Sequence, residues 1–189
     1  MKTYGAVQKK LRPGEMLFQE GDDPIFYYQV ETGEIKLTNY NDKGKEMIQG
    51  IFSQGEGFGA PSLVGDFPVC SNAEATTATT LICLEKSLFL KMLNENHDIS
   101  MWFLKEMSKR IRFKSMIAIE INCHEAEKRI INLLEYLKQE AGHESEFQVK
   151  LTRQEIANII GLRVETVIRA IKSLKDKNLI KVKNRKLYI

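Results

Sequence analysis

The 189 residues suffice for two modest domains, and an apolar fraction of 43% is ordinary for a soluble globular protein. No run approaches a membrane span, Met1-Lys2-Thr3-Tyr4 is not followed by a signal-peptide core, and three scattered cysteines make no disulfide framework, so a cytoplasmic protein is expected. The net charge of +3 hides a division: residues 147–189 carry eleven Lys or Arg against three Asp or Glu, which leaves the rest of the chain net acidic.

Residues 4–90 hold ten of the twelve Gly and all four Pro. These punctuate short β-like runs at residues 15–18, 25–30, 34–37 and 46–48, with Gly14, Gly21, Gly33 and Gly44 between them. That rhythm is the one of a β-sandwich or jelly roll. Thr32-Gly33 and Lys43-Gly44 read as hairpin tips, and residues 76–84 as a β-branched-rich last strand or pair. Jelly rolls also house metal-dependent enzymes with His-rich β domains, but no His precedes His97 here. No nucleophile–base pair stands out, and Gly55-Glu56-Gly57-Phe58-Gly59 lacks the Lys-Ser/Thr ending of a phosphate-binding loop. An enzyme is not expected.

From Leu88 the period becomes helical. A long helix without Gly or Pro spans residues 99–121, and Leu104, Met107, Ile111, Lys114, Ala118 and Ile121 alternate as a and d positions of a heptad seam with one polar interruption. Trp102, Phe103, Phe113 and Ile117 lie beside the seam and can pack on the β domain. One buried helix is the simpler reading, but the apolar residues exceed a single face. A second helix is expected over 126–137 and a polar loop over 139–146.

The basic C-terminal piece then gives two short helices around a tight turn. Thr152 followed by Glu155 is a capping box, in which each side chain satisfies an orphan backbone donor of the helix start. Ile156, Ile159 and Ile160 repeat at helical spacing, and Gly161 can end the helix in the left-handed conformation. A second helix from Val164 puts Val167, Ala170, Ile171 and Leu174 on one face, and Glu165, Ile168, Arg169 and Lys172 on the other. A helical hairpin in a bundle shares this pattern. Two short strands around Asn184-Arg185 favour a winged helix-turn-helix instead, and the coincident basic charge is the footprint of a nucleic-acid binder. A module that binds only a partner protein would need neither feature.

At these residues the sequence resembles the CRP/FNR transcription regulators. The segments LTRQEIANIIGLRVETVIRAIKSLKDKNLI and, upstream, GEIKL, GKE and FGA occur in the family's order, and the resemblance covers essentially the whole chain. It implies an α+β fold: an N-terminal double-stranded β-helix (jelly-roll) sensor domain over 1–95, a long dimerisation helix over 96–123 and a C-terminal winged helix-turn-helix over 124–189. The implied partners are a second copy of the chain, an inverted-repeat DNA operator and RNA polymerase, with no membrane. Glu165, Ile168 and Arg169 are the expected base contacts, and Thr152, Arg153, Arg163, Thr166 and Lys172 the expected backbone contacts. The pairing of long helices makes Leu104, Met107, Ile111, Ala118 and Ile121 the dimer residues.

The family's β domain usually senses a small molecule. By alignment the pocket takes in Phe58, Gly59, Ala60, Val69 and Cys70, with Lys114 and Ser115 from the long helix. The Glu that holds the ribose hydroxyl in cyclic-nucleotide binders falls at Ala60, and the Arg-Ser pair that holds the phosphate falls at Val69-Cys70. The Thr-Ser pair that meets the purine maps to Lys114-Ser115, where only Ser115 matches. Cyclic AMP in the usual mode is therefore not expected and the effector is unidentified. The alternative is a cyclic-nucleotide-responsive regulator with a non-standard pocket. Neither an iron–sulfur cluster nor heme is expected: three scattered cysteines do not make the usual four-Cys set, and His97, His124 and His143 read as surface. A thiol switch at Cys70 or Cys123 competes with the commoner case of a buried structural cysteine.

Overall fold

The computed structural model describes every residue except 143 and 144, and every side chain but those and that of Lys2. Part of the expected 139–146 loop, with His143, thus lies outside the described residues. The chain forms two compact units, Met1–Ser108 and Lys109–Ile189.

The first unit contains strands β1 (Val7–Leu11), β2 (Met16–Phe18), β3 (Phe26–Thr32), β4 (Ile35–Tyr40), β5 (Glu46–Phe52), β6 (Gly57–Phe58), β7 (Asn72–Ala75) and β8 (Thr79–Glu85). Helix α1 (Ala60–Gly65) follows β6, and α2 (Lys86–Glu95) follows β8. The strands form two antiparallel four-stranded sheets, in the orders β1-β8-β3-β6 and β2-β7-β4-β5. Successive strand residues face opposite sides, so Tyr28 and Val30 join Ile35, Phe58, Ala73 and Leu81 between the sheets. Tyr27 points the other way, stacking on Phe89 of α2 at 4.7 Å, with Phe103 edge-on to Phe89 at 5.3 Å.

Two turn readings part company here. Lys43-Gly44 does tip the β4–β5 hairpin, with Gly44 at φ 72°. Thr32-Gly33 is not a hairpin tip, because β3 and β4 lie in different sheets and the chain crosses between them. Gly33 (φ 86°) is required there: a Cβ would collide with Thr79 and the Ala78 carbonyl. Thr79 holds the crossing, its Oγ1 accepting from the Glu34 N–H at 3.0 Å. The expected strand over 76–84 likewise begins only at Thr79, since Thr76 and Thr77 belong to the link from β7.

Helix α3 runs His97–Cys123 and α4 Ala126–Glu140. Along α3, Leu104 (59% exposed) and Ile111 (67%) are bare in the single chain, as is Ala118, while Ile121 is partly covered beside Gly161. Met107, assigned to the same seam, is half-buried against the Tyr27–Phe89–Phe103 cluster. Phe103 is buried in that cluster as its pattern implied, while Trp102 stays half exposed. Phe113 corrects the expectation that it packs on the β domain: its ring partner is Tyr136 of α4, at 4.9 Å.

The rest of the second unit holds β9 (Gln148–Val149), α5 (Arg153–Ile159), α6 (Val164–Asp176), β10 (Lys181–Lys183) and β11 (Lys186–Tyr188). The three strands form one sheet, β10-β11-β9. The capping box is complete, with Glu155 N–H donating to Thr152 Oγ1 at 3.1 Å and Thr152 N–H to Glu155 Oε2 at 2.7 Å. Gly161 (φ 71°) ends α5, and Leu162 N–H donates back to the Ala157 carbonyl at 3.0 Å, a Schellman closure. Asn184 and Arg185 both have positive φ, 48° and 64°, as a two-residue hairpin turn with the strands' own twist demands. Thr152→Ala should lower stability by about 0.5–2 kcal/mol. Urea unfolding with an unchanged slope and a lower midpoint would show it; an unmoved midpoint would mean the box adds nothing.

Candidate nucleic-acid interface and effector region

Helix α6 is divided lengthwise. Val167, Ala170, Ile171 and Leu174 are buried where α6 packs on α4 and α5, which bury Ile130, Leu133, Leu134 and Ile156 in turn. Glu165, Arg169 and Lys172 are exposed on the other side, and Ile168 is 53% exposed. Glu165 and Arg169, four apart, share that face.

The residues expected at the DNA backbone take separate places. Arg163 is exposed at the N-cap of α6 and makes no side-chain cap bond. Thr166 is half-buried. Thr152 accepts the Glu155 N–H, which leaves its own hydroxyl proton to donate outward. Arg153 and Lys172 meet in a groove of about 230 Å³, with Ile168, Ile171, Lys175 and Val182. Lys175 and Val182 escaped the sequence reading. Lys175, three residues beyond Lys172, was legible as a helical neighbour; Val182 was not, because only the wing's folding brings it there. Two of the wing's cations are engaged: Glu146 receives Lys183 at 2.8 Å and Lys181 at 2.9 Å. Hydrogen bonds from Lys183 and then Lys181 pull its carboxyl down to about 2.

In the first unit a cleft of about 570 Å³ opens among β1, β2, the start of β3 and the residues before β7. Of the expected pocket residues, Gly59 and Val69 line it. Phe58 and Ala60 are buried (1% exposed each), and Cys70 is exposed, its carbonyl accepting from Asn39 Nδ2 at 2.8 Å. Lys114 and Ser115 are exposed on the part of α3 that belongs to the second unit. The lining adds charges that the alignment did not point to: Asp22, Asp23 and Lys9. Tyr28 also lines it, and burial, helped by Cys83 and Asp22, pushes its hydroxyl up to about 12, so it keeps its proton. Among the described residues no cluster of three or more His, Cys, Asp or Glu could hold a metal ion. Cys83 is the one buried cysteine, its thiol pushed up by that burial; Cys70 and Cys123 are exposed.

Residues 8–96 match the family model of the cyclic nucleotide-binding domain, and residues 128–189 match that of the Crp-like helix-turn-helix domain. The chain belongs to the CRP/FNR family of transcription regulators. This CRP/FNR regulator is 29% identical over 171 residues to the cAMP-activated global transcriptional regulator CRP of Haemophilus influenzae, covering 87% of this chain and 75% of that one. It is 27% identical over 199 residues to the transcriptional activator Anr of Pseudomonas protegens, covering 100% of this chain and 80% of the relative. The fold is that of FixK2 from Bradyrhizobium japonicum, with a TM-score of 0.79 at 20% identity over 96% of this chain and 91% of that one. The curated relatives are named as transcription regulators, and the helix-turn-helix match gives this regulator a DNA-binding domain of the same kind. Among its described residues no helix is long and apolar enough to cross a membrane.

Proposed function

We propose that the protein is a cytoplasmic homodimer that binds an inverted-repeat operator through α6 and works with RNA polymerase. One observation carries the reading: α6 buries a full apolar face and leaves Glu165, Ile168 and Arg169 bare together on the other. Arg169 can donate two hydrogen bonds to guanine O6 and N7, Glu165 can accept from cytosine N4, and Ile168 can touch a thymine methyl. By family resemblance these roles give a half-site with a TGA-like core. Arg153, Arg163, Lys172 and the Thr152 and Thr166 hydroxyls hold the phosphates, and the bare Leu104, Ile111 and Ala118 form the dimer seam with Met107 and Ile121 at its edges. The three stretches 1–95, 96–123 and 124–189 serve as sensor, dimerisation helix and DNA-binding domain. Selection from a random duplex pool tests this. Enriched sites should be inverted repeats with half-site centres about 10–10.5 bp apart, the same with and without cyclic nucleotides. A pool enriched for no repeat would dismiss the reading.

The effector is not cyclic AMP bound in the usual mode. Ala60, Val69 and Cys70 offer no side-chain partner for ribose or phosphate, and the cleft beside them sets the Asp22 and Asp23 carboxylates against the single cation Lys9. A buried phosphate left without its partner loses about 3–5 kcal/mol, enough to remove micromolar affinity. Calorimetry should show no saturable heat at micromolar cyclic AMP; a dissociation constant of about 1 μM or tighter would reverse the conclusion. The Haemophilus relative is cAMP-activated, so a non-standard cyclic-nucleotide pocket is the second reading, and the same titration with other cyclic nucleotides decides it.

A further inference from the structure

Glu120 is the only acidic or basic side chain among the described residues that is buried, at 3% exposure. A carboxylate out of water persists only where partners satisfy both oxygens. Here Asn132 of α4 donates its amide to Oε1 at 2.7 Å, and His124 Nδ1 lies 2.9 Å from Oε2. The connection continues past His124. Arg129 Nε donates to the His124 carbonyl at 2.6 Å, and Arg129 Nη1 to the Ile160 carbonyl at 3.4 Å. Ile160 is the C-cap of α5, one residue before the turn glycine. Ile121, the next residue after Glu120, lies over that turn, so that a Cβ added to Gly161 would meet it at 3.6 Å. One short stretch of α3 is thus bonded through its buried side to α4 and to the carbonyl that ends α5, while Ile111 and Ala118 leave the other side of the helix bare.

We infer that Glu120 is a positioning residue: through His124, Asn132 and Arg129 it fixes the end of α3 against the helix-turn-helix, and so sets the separation of the two recognition helices in the dimer. The inference rests on the dimeric reading above. Each DNA-binding unit has its own apolar interior, so breaking the link leaves a single recognition helix intact while freeing the distance between two. What changes is the operator spacing the dimer accepts.

The test compares Glu120→Leu, Asn132→Leu and the conservative Glu120→Gln on duplexes holding one half-site, or two at spacings stepped by one base pair. For Glu120→Leu, single half-site affinity should stay within about twofold of wild type. Affinity for the best inverted repeat should fall at least about tenfold, and the sharp spacing optimum should flatten. Glu120→Gln, which keeps a carbonyl for the Asn132 amide, should restore most of the optimum. If Glu120→Leu does not fold, Asn132→Leu, half-buried at the junction, carries the same expectation. A folded dimer of either Leu variant that keeps the wild-type spacing optimum overturns the inference alone. A monomeric wild type in sedimentation removes the dimeric reading, and the inference with it.

Discussion

Replacing Ile111 and Ala118 together by Glu is expected to convert the dimer to monomers and to abolish the preference for an inverted repeat over a single half-site. Residues at a and d positions of a two-fold seam meet their own copies, so the pair of changes places four carboxylates along one contact line. Ile111 is the most exposed of the large apolar side chains, at 67%, so the monomer has little reason to resent the change. The dimer loses the burial of two isoleucines, about 1.5–3 kcal/mol each, and gains repulsion between like charges. A total above about 4 kcal/mol weakens association about a thousandfold. Sedimentation should then show monomers at micromolar concentration, with half-site binding surviving and the gain from the second half-site gone. A variant that stays dimeric, or a wild type that never dimerises, would show the bare face to have another use.

Arg169→Ala should weaken operator binding by about 1–3 kcal/mol per half-site and relax preference at the guanine. Two half-sites double the loss, to about 2–6 kcal/mol on the full operator. Lys172→Ala marks the contrast. A phosphate-facing lysine carries no base information, so its loss should weaken binding to all sequences alike and reduce the salt slope by about one. Binding series on operators permuted at that guanine, each at several salt concentrations, separate the two. If Arg169→Ala keeps the wild-type base preference, the recognition-helix assignment is wrong.

What could be read from the residues followed the range over which their chemistry acts. The capping box of Thr152 and Glu155, the left-handed Gly161 and the Asn184-Arg185 turn are each decided within a few residues, and all three stand in the structure. The α6 stripe was legible for the same reason, since one helix face is written at a fixed period. Strand β1, Val-Gln-Lys-Lys-Leu, was missed because only its last residue is buried, so it shows no alternation. Strand β9 is two residues long and exists only because β11 pairs with it. The Thr32-Gly33 error has a sharper cause: a glycine at positive φ reverses a chain equally well within one sheet or between two. In the effector region the aligned positions named Gly59 and Val69. Asp22 and Asp23 reach the same cleft through the pairing of the Gly21 and Val69 backbones, a contact between distant segments that no local pattern announces.

The sheet pairings also bear on how the chain acquires its shape as it is synthesised. Val7 in the first strand lies opposite Cys83 in the eighth, and Leu11 opposite Thr79. The β sheet can therefore not close until its last strand has left the ribosome, and β1 waits as an unpaired edge meanwhile. The smaller unit repeats the arrangement, since Val149 pairs with Leu187 on the far side of α5 and α6. Its helices α4, α5 and α6, by contrast, pack on one another and can form while the wing is still missing. Contacts of long sequence separation are slow, and strand edges left open invite pairing with other chains. Truncation before residue 187 should consequently leave β9 unpaired while α5 and α6 retain their helical content, and a nascent chain stopped before residue 79 should expose the whole β1 edge to whatever strand comes first.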